Sequence, residues 1–336
     1  MGKIKIFING FGRIGRCIAR VVLSNRSNRF EIVGINDLAS CEVLSYLLEH
    51  DSIHNQSVRT KKIEDNVFEF NGCKIPFSAR NNPSEVNING ADVVIECSGL
   101  FLQRDFVECY LQKGAKKVIF SAPAKDDTPT FVLGVNHHLY KGESIISNAS
   151  CTTNALAPIV MLLDREFGVE KGILTTIHSY TNDQNLIDCV HKKNDLRRSR
   201  AAAVNIIPTT TGAAKALHLV LPQMKGKLHG HSVRVPIPDV SMIDLNINLK
   251  KDTTKESINQ LFEECSCSLL KGILGVDKKY GVSQDFINNP LSSVIASDLT
   301  FVLDGNMAKV MAWYDNEWGY SNRILEMAEW ILKGEQ

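Results

Sequence analysis

Residues 3–8 (KIKIFI) alternate charged and apolar side chains at first, then turn wholly apolar, as a strand entering a buried sheet does. An apolar period over residues 14–23 predicts a helix, and residues 30–35 predict a second strand ending at Asn36-Asp37. Further buried-strand runs cover residues 91–95, 117–120, 131–135 and 144–147, with a helical pattern at 105–112. Strands alternating with helices predict an α/β unit with a mainly parallel sheet. Residues 58–75 read instead as short antiparallel strands around Asn71-Gly72, an insertion in that unit.

After Cys151 the texture changes. Residues 152–167 predict one helix and 172–177 a strand; residues 182–200 are polar, basic and aperiodic. Loops of that length inside a compact domain are usually functional. Strand-like runs recur at 232–235, 241–249, 293–302 and 309–314. Thr209-Thr210-Thr211-Gly212 reads as the opening of a helix over 213–221, and residues 318–332 as a closing amphipathic helix.

Composition narrows the classes. The chain has 336 residues, room for about two domains. Hydrophobic residues make up 44% and charged residues 22%, which excludes a disordered or fibrous protein. Lys plus Arg total 38 against 37 for Asp plus Glu, so no global field draws in nucleic acid or an anionic membrane. No apolar run approaches the roughly 18 residues of a spanning helix. The opening MGKIKIFINGFGRIG shows no long apolar region or cleavage site, so a cytoplasmic location is expected. Nine scattered cysteines, with no C-x-x-C and no ligand spacing for zinc, suggest reduced thiols and no metal. His229 and His231 are read as lying in a Gly-flanked turn, and His137-His138 in a polar loop.

Two motifs carry chemistry. Gly10-x-Gly12-x-x-Gly15 falls between a predicted strand and a predicted helix, where the glycines allow a tight turn, close approach of a pyrophosphate and close helix–strand packing. Asp37 lies 22 residues beyond Gly15 at a strand end, placed to bind a ribose 2′-hydroxyl and to repel a 2′-phosphate. This favours NAD as cofactor. Cys151, in SNASCTTN, stands at a strand end and a helix start, where backbone N–H groups and the helix dipole favour a thiolate. His178 closes a predicted strand and is the candidate base. Thr181, Arg197, Arg198, Arg200, Thr209 to Gly212 and Arg234 offer hydroxyls and guanidinium groups suited to phosphate oxygens.

These residues also carry a resemblance. The stretches INGFGRIGR, IND, SAP, SNASCTTN, PTTTGAAK, RVP and WYDNEWGYS are similar to those of the phosphorylating glyceraldehyde-3-phosphate dehydrogenases, over essentially the whole chain. The resemblance implies a Rossmann-type NAD-binding domain over residues 1–150 and an α+β catalytic domain with a mixed or antiparallel sheet over 151–316. The helix over 317–336 is expected to pack back on the first domain. It implies that Cys151 attacks the aldehyde of glyceraldehyde 3-phosphate, that His178 is the base, and that inorganic phosphate takes the acyl group, in glycolysis or gluconeogenesis. Thr181, Arg234 and Arg198 would contact the substrate phosphate. Ser150, Thr152, Thr211 and Gly212 would hold the attacking phosphate, with Arg198 shared between the two and Arg197 the competing assignment. Gly10, Gly12, Arg13, Ile14, Gly15, Asp37, Arg80, Ser121 and Asn316 match cofactor positions, Asn316 at the nicotinamide amide. The resemblance also implies a homotetramer in which the loop around residues 182–205 packs beside the cofactor.

Departures from the family pattern are Ala155 in place of a common second cysteine, and Cys189-Val190 in place of the Leu-Pro or Gly-Pro pair that accompanies NAD preference. His50 and Asn55 replace Tyr and Gly. The rival reading is an erythrose-4-phosphate dehydrogenase, which hydrolyses its acyl group; a second is a platform for nucleic acid or a protein partner.

Overall fold

The structure, a computed structural model, describes residues 2–24, 29–54 and 58–333; Asn55 lies outside them. The chain divides into two compact units, one of Met1–Phe131, His138–Ser150 and Ser321–Gln336, the other of Val132–His137 and Cys151–Tyr320.

In the first unit the order is β1 (Ile4–Asn9), α1 (Arg13–Leu23), β2 (Phe30–Asn36), α2 (Cys41–Glu49), β3 (Thr60–Glu64), β4 (Val67–Phe70), β5 (Cys73–Ser78), β6 (Val93–Glu96), α3 (Arg104–Gln112), β7 (Lys117–Phe120) and β8 (Ile145–Ser147). They form one sheet in the order β3-β4-β5-β2-β1-β6-β7-β8. β5, β2, β1, β6, β7 and β8 pair in parallel, and β3, β4 and β5 form an antiparallel meander. β6 and β7 are buried along their whole length, as the continuous apolar runs require of strands covered on both faces. Phe7, Val94, Val118 and Phe120 pack there with Val107 and Tyr110 of α3. β1 is followed by β2 on one side and flanked by β6 on the other, so the strand order reverses at β1 and leaves a crevice at the carboxyl ends.

Two elements of this unit differ from the reading of the sequence. Residues 131–135 form no strand: a lone bridge joins Thr130 to Ser147, and the chain then turns. Asn136 Oδ1 accepts from the Val132 N–H at 2.8 Å, and Gly134 has φ +80°. Helix α2 was not expected, because Val43, Tyr46 and Leu47 are exposed beside the buried Leu44 and Leu48 and blur the helical period.

The second unit holds α4 (Cys151–Phe167), β9 (Val169–Ser179), β10 (Ile207–Thr210), α5 (Ala213–Ala216), β11 (Leu228–Val235), β12 (Ser241–Leu249), α6 (Lys255–Cys267), β13 (Leu274–Asp277), β14 (Ser293–Ala296), β15 (Phe301–Leu303) and β16 (Met307–Tyr314). Helix α7 (Trp318–Lys333) begins in this unit and passes to the first at Ser321. The sheet runs β10-β11-β9-β12-β16-β14-β13, with β15 on β16, and is mixed: β11–β9 and β13–β14 are parallel, the other pairs antiparallel. β12 buries Ile243, Leu245, Ile247 and Leu249 at alternate positions, leaving the intervening side chains on the other face.

Three expectations are corrected here. His229 and His231 lie in strand β11 and not in a turn: a Cβ at Gly230 would come within 2.3 Å of the Leu174 carbonyl oxygen, so the glycine serves close strand approach. The helix over 213–221 shrinks to the four residues of α5 followed by a short 3₁₀ turn, Leu217–Leu219, while Thr209 and Thr210 belong to β10. β-branched threonines suit an edge strand better than a helix start, and Pro222 follows close behind. The run 293–302 is cut into β14 and β15 by the turn Ser297–Leu299, whose Ser297 hydroxyl donates to the Asp277 carbonyl.

Candidate active site

The crevice beside β1 opens as a cleft of about 240 Å³ whose lining includes Asn9, Gly10, Gly12, Asp37, Arg80 and Ser98. Gly10 has φ +91°, and a Cβ there would lie 2.4 Å from the Ser98 backbone nitrogen. A Cβ at Gly15 would lie 2.3 Å from the Gly10 carbonyl oxygen, so α1 could not pack so close. At Gly12 the same atom would meet nothing within 4 Å among the described residues: it would fill the cradle itself. The Asp37 carboxylate is fixed by the Phe11 N–H (2.7 Å) and the Ala39 N–H (3.0 Å) at the strand end. The glycines, the acid and the open start of α1 together fit a dinucleotide. Arg80 is held through its backbone by Asn36 (2.9 Å at both N–H and carbonyl), and Ser121 donates its N–H to the Glu96 carbonyl. Ile14 lies in the first turn of α1. Arg13 is engaged with Asp51 at 2.7 Å, beside Arg20 at 3.0 Å. Burial alone would raise the Asp51 carboxyl, but the His54 N–H, Arg13, the Ile53 N–H and Arg20 bring it down to about 2.

In the second unit strand register assembles the chemistry. The parallel pairing of β9 with β11 sets Arg234 opposite His178, and the pairing of β12 with β16 sets Ser241 opposite Tyr314. Cys151 opens α4, and its Sγ lies 3.8 Å from His178 Nε2. The neighbouring Thr152 hydroxyl bonds the Tyr314 hydroxyl at 2.9 Å. His178 Nδ1 lies 2.8 Å from the Ser179 carbonyl and 2.7 Å from Arg234 Nη1, which also donates to that carbonyl. Asn316 accepts through Oδ1 from the hydroxyls of Ser179 (3.0 Å) and Ser241 (2.6 Å), which fixes its Nδ2 as the donor end of the amide. Ala149 (φ +57°) and Val240 (φ +63°) carry left-handed backbone just before Ser150-Cys151 and Ser241. Each costs of order 1–3 kcal/mol and is held by its surroundings.

The electrostatics of this pair differ from the reading of the sequence. Burial pushes the Cys151 thiol up, against the Thr152 hydroxyl, Arg234 and the N–H groups of the helix start. Burial, then Arg234, push the His178 imidazole down to about 3. At this thiol burial thus opposes the helix-start N–H groups and Arg234, which favour the thiolate.

Arg198 and Arg197 are separated by their surroundings. Arg198 Nε donates to Thr209 Oγ1 at 3.0 Å, its guanidinium pairs with Asp183, and its charge bears on Arg234. Arg197 is exposed.

Residues 4–104 match the family model described as the glyceraldehyde 3-phosphate dehydrogenase NAD binding domain, and residues 150–316 match that of the C-terminal domain. The chain belongs to the glyceraldehyde 3-phosphate dehydrogenase family. It is 54% identical over 335 residues to the glyceraldehyde-3-phosphate dehydrogenase of Helicobacter pylori, covering 98% of this chain and 99% of that one. It is 49% identical to that of Bacteroides fragilis and 47% to that of Priestia megaterium, with 98% or more of both chains covered in each case. Enzymes of this family are oxidoreductases that use NAD, and the cleft beside β1 lies in the unit that matches its NAD binding domain.

Of the residues read from the sequence, the structure brings together Cys151, Thr152, His178 and Arg234, and joins Arg198 to β10 through Thr209. Thr181 exchanges bonds with Gln184 within its own turn. Thr211 accepts from the Ala213 N–H, and the Gly212 carbonyl accepts from the Ala216 N–H. Ser150 immediately precedes the thiol. Ser179, Ser241, Tyr314, Asp183, Asn9, Asn36 and Glu96 were missed as supports. Tyr314 stands inside the recognised run WYDNEWGYS; for the serines no signal short of strand register existed.

Proposed function

We propose that the chain oxidises D-glyceraldehyde 3-phosphate with NAD and inorganic phosphate to 1,3-bisphosphoglycerate and NADH. The observation that carries this reading is the thiol of Cys151 facing His178 Nε2 at a helix start, with Arg234 behind the imidazole. Cys151 Sγ bonds to the aldehyde carbon as the C=O π bond breaks, and His178 Nε2 takes the thiol proton and passes it to the new alkoxide oxygen, giving a thiohemiacetal. Bound NAD would supply the acceptor for the hydride of that carbon, while His178 Nε2 takes back the hydroxyl proton so that the C–O bond becomes the thioester carbonyl. The resulting thioester is attacked by a phosphate oxygen, and the C–S bond breaks to return Cys151 as thiolate or, with the proton of His178, as thiol. The helix start and the N–H groups of Cys151 and Thr152 stabilise negative charge near the sulfur.

Arg234 and Arg198 supply cationic donors for phosphate, with Thr181 on the substrate side and Ser150, Thr152, Thr211 and Gly212 on the side of the attacking ion. Asn316 offers its amide NH₂ to the cofactor's carboxamide. The first unit is the NAD domain, with Gly10, Gly12, Arg13, Ile14, Gly15, Asp37, Arg80 and Ser121 as its cofactor residues, and the second is the catalytic domain. A homotetramer agrees with Leu186, Ile187, Val190, Leu196, Val204 and Ile206, all more than two-thirds exposed along one long loop. A cytoplasmic location agrees with the described residues, among which no helix is long and apolar enough to cross a membrane.

Steady-state NADH formation with and without inorganic phosphate tests the reading. Turnover that requires phosphate supports it, and equal turnover without phosphate moves the assignment to a hydrolysing aldose-phosphate dehydrogenase.

A further inference from the structure

Under the cofactor cleft lies a buried chain of amides that ends in a carboxylate and takes no part in the chemistry above. Glu96, buried at the end of β6, accepts through Oε2 from Asn9 Nδ2 at 2.5 Å. Its Oε1 accepts from the Ser98 N–H at 2.8 Å and from the Ser98 hydroxyl. Asn9, at the end of β1, accepts in turn from Asn36 Nδ2 at 2.8 Å. Asn36, at the end of β2, donates to the Arg80 carbonyl and accepts through Oδ1 from the Arg80 N–H (2.9 Å) and the Ser78 hydroxyl (2.8 Å). One chain of bonds thus crosses three neighbouring strand ends and joins Ser98 to Arg80, residues that both line the cleft.

Each amide in the chain can face two ways, and the end group decides which. An ionised carboxylate only accepts, so it draws the NH₂ of Asn9 toward itself. Asn9 Oδ1 is then free for Asn36, and Asn36 Oδ1 for the Arg80 N–H. A protonated Glu96 offers an O–H, to which Asn9 answers best with its own oxygen. That reversal sets Asn9 Nδ2 against Asn36 Nδ2, two donors face to face, so Asn36 keeps only the Arg80 carbonyl as acceptor for its NH₂ and is pushed from the position in which it holds Arg80.

We propose that Glu96, in its ionised form, is a positioning residue that sets the direction of this relay and thereby holds both walls of the NAD cleft in the binding arrangement. The inference rests on the NAD reading of the cleft. Burial pushes the Glu96 carboxyl up to about 7, against the bonds from Ser98 and Asn9. Among the described residues, the titratable groups on which its charge bears are Cys97, next after β6, and Tyr110 of α3. Burial pushes the Cys97 thiol up to about 12 and the Tyr110 hydroxyl well up, so both stay neutral and lend Glu96 no compensating charge. Below about pH 7 the protonated fraction grows and NAD binding weakens; above it the relay keeps its direction. A cleft that binds only when one group of this pKa is ionised loses about tenfold in affinity between pH 8 and pH 6.

The test is the NAD dissociation constant of the full chain, measured by titration calorimetry at pH 6 and pH 8 with no aldehyde present. The wild type is expected to bind about tenfold more weakly at pH 6. Glu96→Gln, which presents a donor at every pH, is expected to bind at pH 8 more weakly than the wild type at pH 6, where about a tenth of the wild-type chains still carry the ionised group, with no pH dependence, and to raise the KM for NAD far more than it lowers kcat. Asn9→Asp added to Glu96→Gln moves the acceptor one link along, to where the new side-chain amide at position 96 and Asn36 Nδ2 both donate to it, and is expected to restore affinity at pH 8. Equal affinity of the wild type at the two pH values overturns the proposal, as does a double variant no better than the single one. Failure to bind NAD at either pH would instead overturn the NAD reading of the cleft.

Discussion

The cleft beside β1 and the thiol at the start of α4 are built by different means. In the cleft the backbone is the main reagent: Gly10, Gly12 and Gly15 shape the turn within six residues, and Asp37 is fixed by two N–H groups. In the thiol site the groups that meet come from residues 151, 178, 234 and 314, and strand register alone brings them together. The two sites also answer burial differently. Glu96 is offered only hydrogen-bond donors, so a charge survives near neutral pH; His178 is offered a guanidinium, which drives its imidazole toward the neutral form. A local motif therefore tolerates change elsewhere in the fold, whereas a register-built site depends on every strand that carries a member.

The largest effect that sharpens this contrast is expected at Arg198. Its guanidinium is ordered by Thr209 and Asp183, so if Arg198 makes the charge-assisted contact to phosphate proposed above, Arg198→Ala is expected to cost about 1.5–3 kcal/mol, roughly 10- to 100-fold in kcat/KM. Arg197→Ala, at an exposed neighbour, is expected to stay within about twofold. Equal losses in the two variants, read from initial rates over a range of substrate, would contradict the assignment.

Two glycines of one motif provide a contrast inside the cleft. Gly15→Ala sets a Cβ against the Gly10 carbonyl and is expected to destabilise the first unit by about 1–3 kcal/mol, seen as an earlier denaturant midpoint. Gly12→Ala meets no described atom within 4 Å, so it loses only the N-cap preference for glycine over alanine and is expected to cost about 0.5–1 kcal/mol, while NAD binding weakens by about tenfold or more. A Gly12→Ala variant that binds NAD normally would remove the pyrophosphate from that place. The smallest effect is expected at Tyr314→Phe, which takes the hydroxyl partner from buried Thr152 and costs about 1 kcal/mol by denaturant titration.

How much was legible in the sequence follows the same division. The strand–glycine–helix start, Asp37 and the parallel strands of the first unit could be read because they are local in sequence and wholly apolar where buried. Cys151 and His178 could be named, but neither their approach nor the burial that shifts their acidity was readable, since both depend on how β9, β11, β12 and β16 align. Local pattern misled where tertiary packing outweighed it. Residues 131–135 look like a strand, yet Asn136 and Gly134 fold them into a turn. Gly230 looks like a turn, yet it lets β11 lie close to β9. The relay from Glu96 to Arg80 left no signal, because its members are ordinary polar residues until three strand ends are set side by side.

The most direct test of the thiol site is a single turnover without inorganic phosphate. Chain, NAD and glyceraldehyde 3-phosphate are mixed rapidly, NADH absorbance is followed, and the acid-quenched protein is mapped by mass spectrometry. The account expects a burst of one NADH per chain, an acyl group on the peptide that carries Cys151, and its release when phosphate is added. Sustained NADH formation without phosphate, or an acyl group on any other side chain, would contradict it.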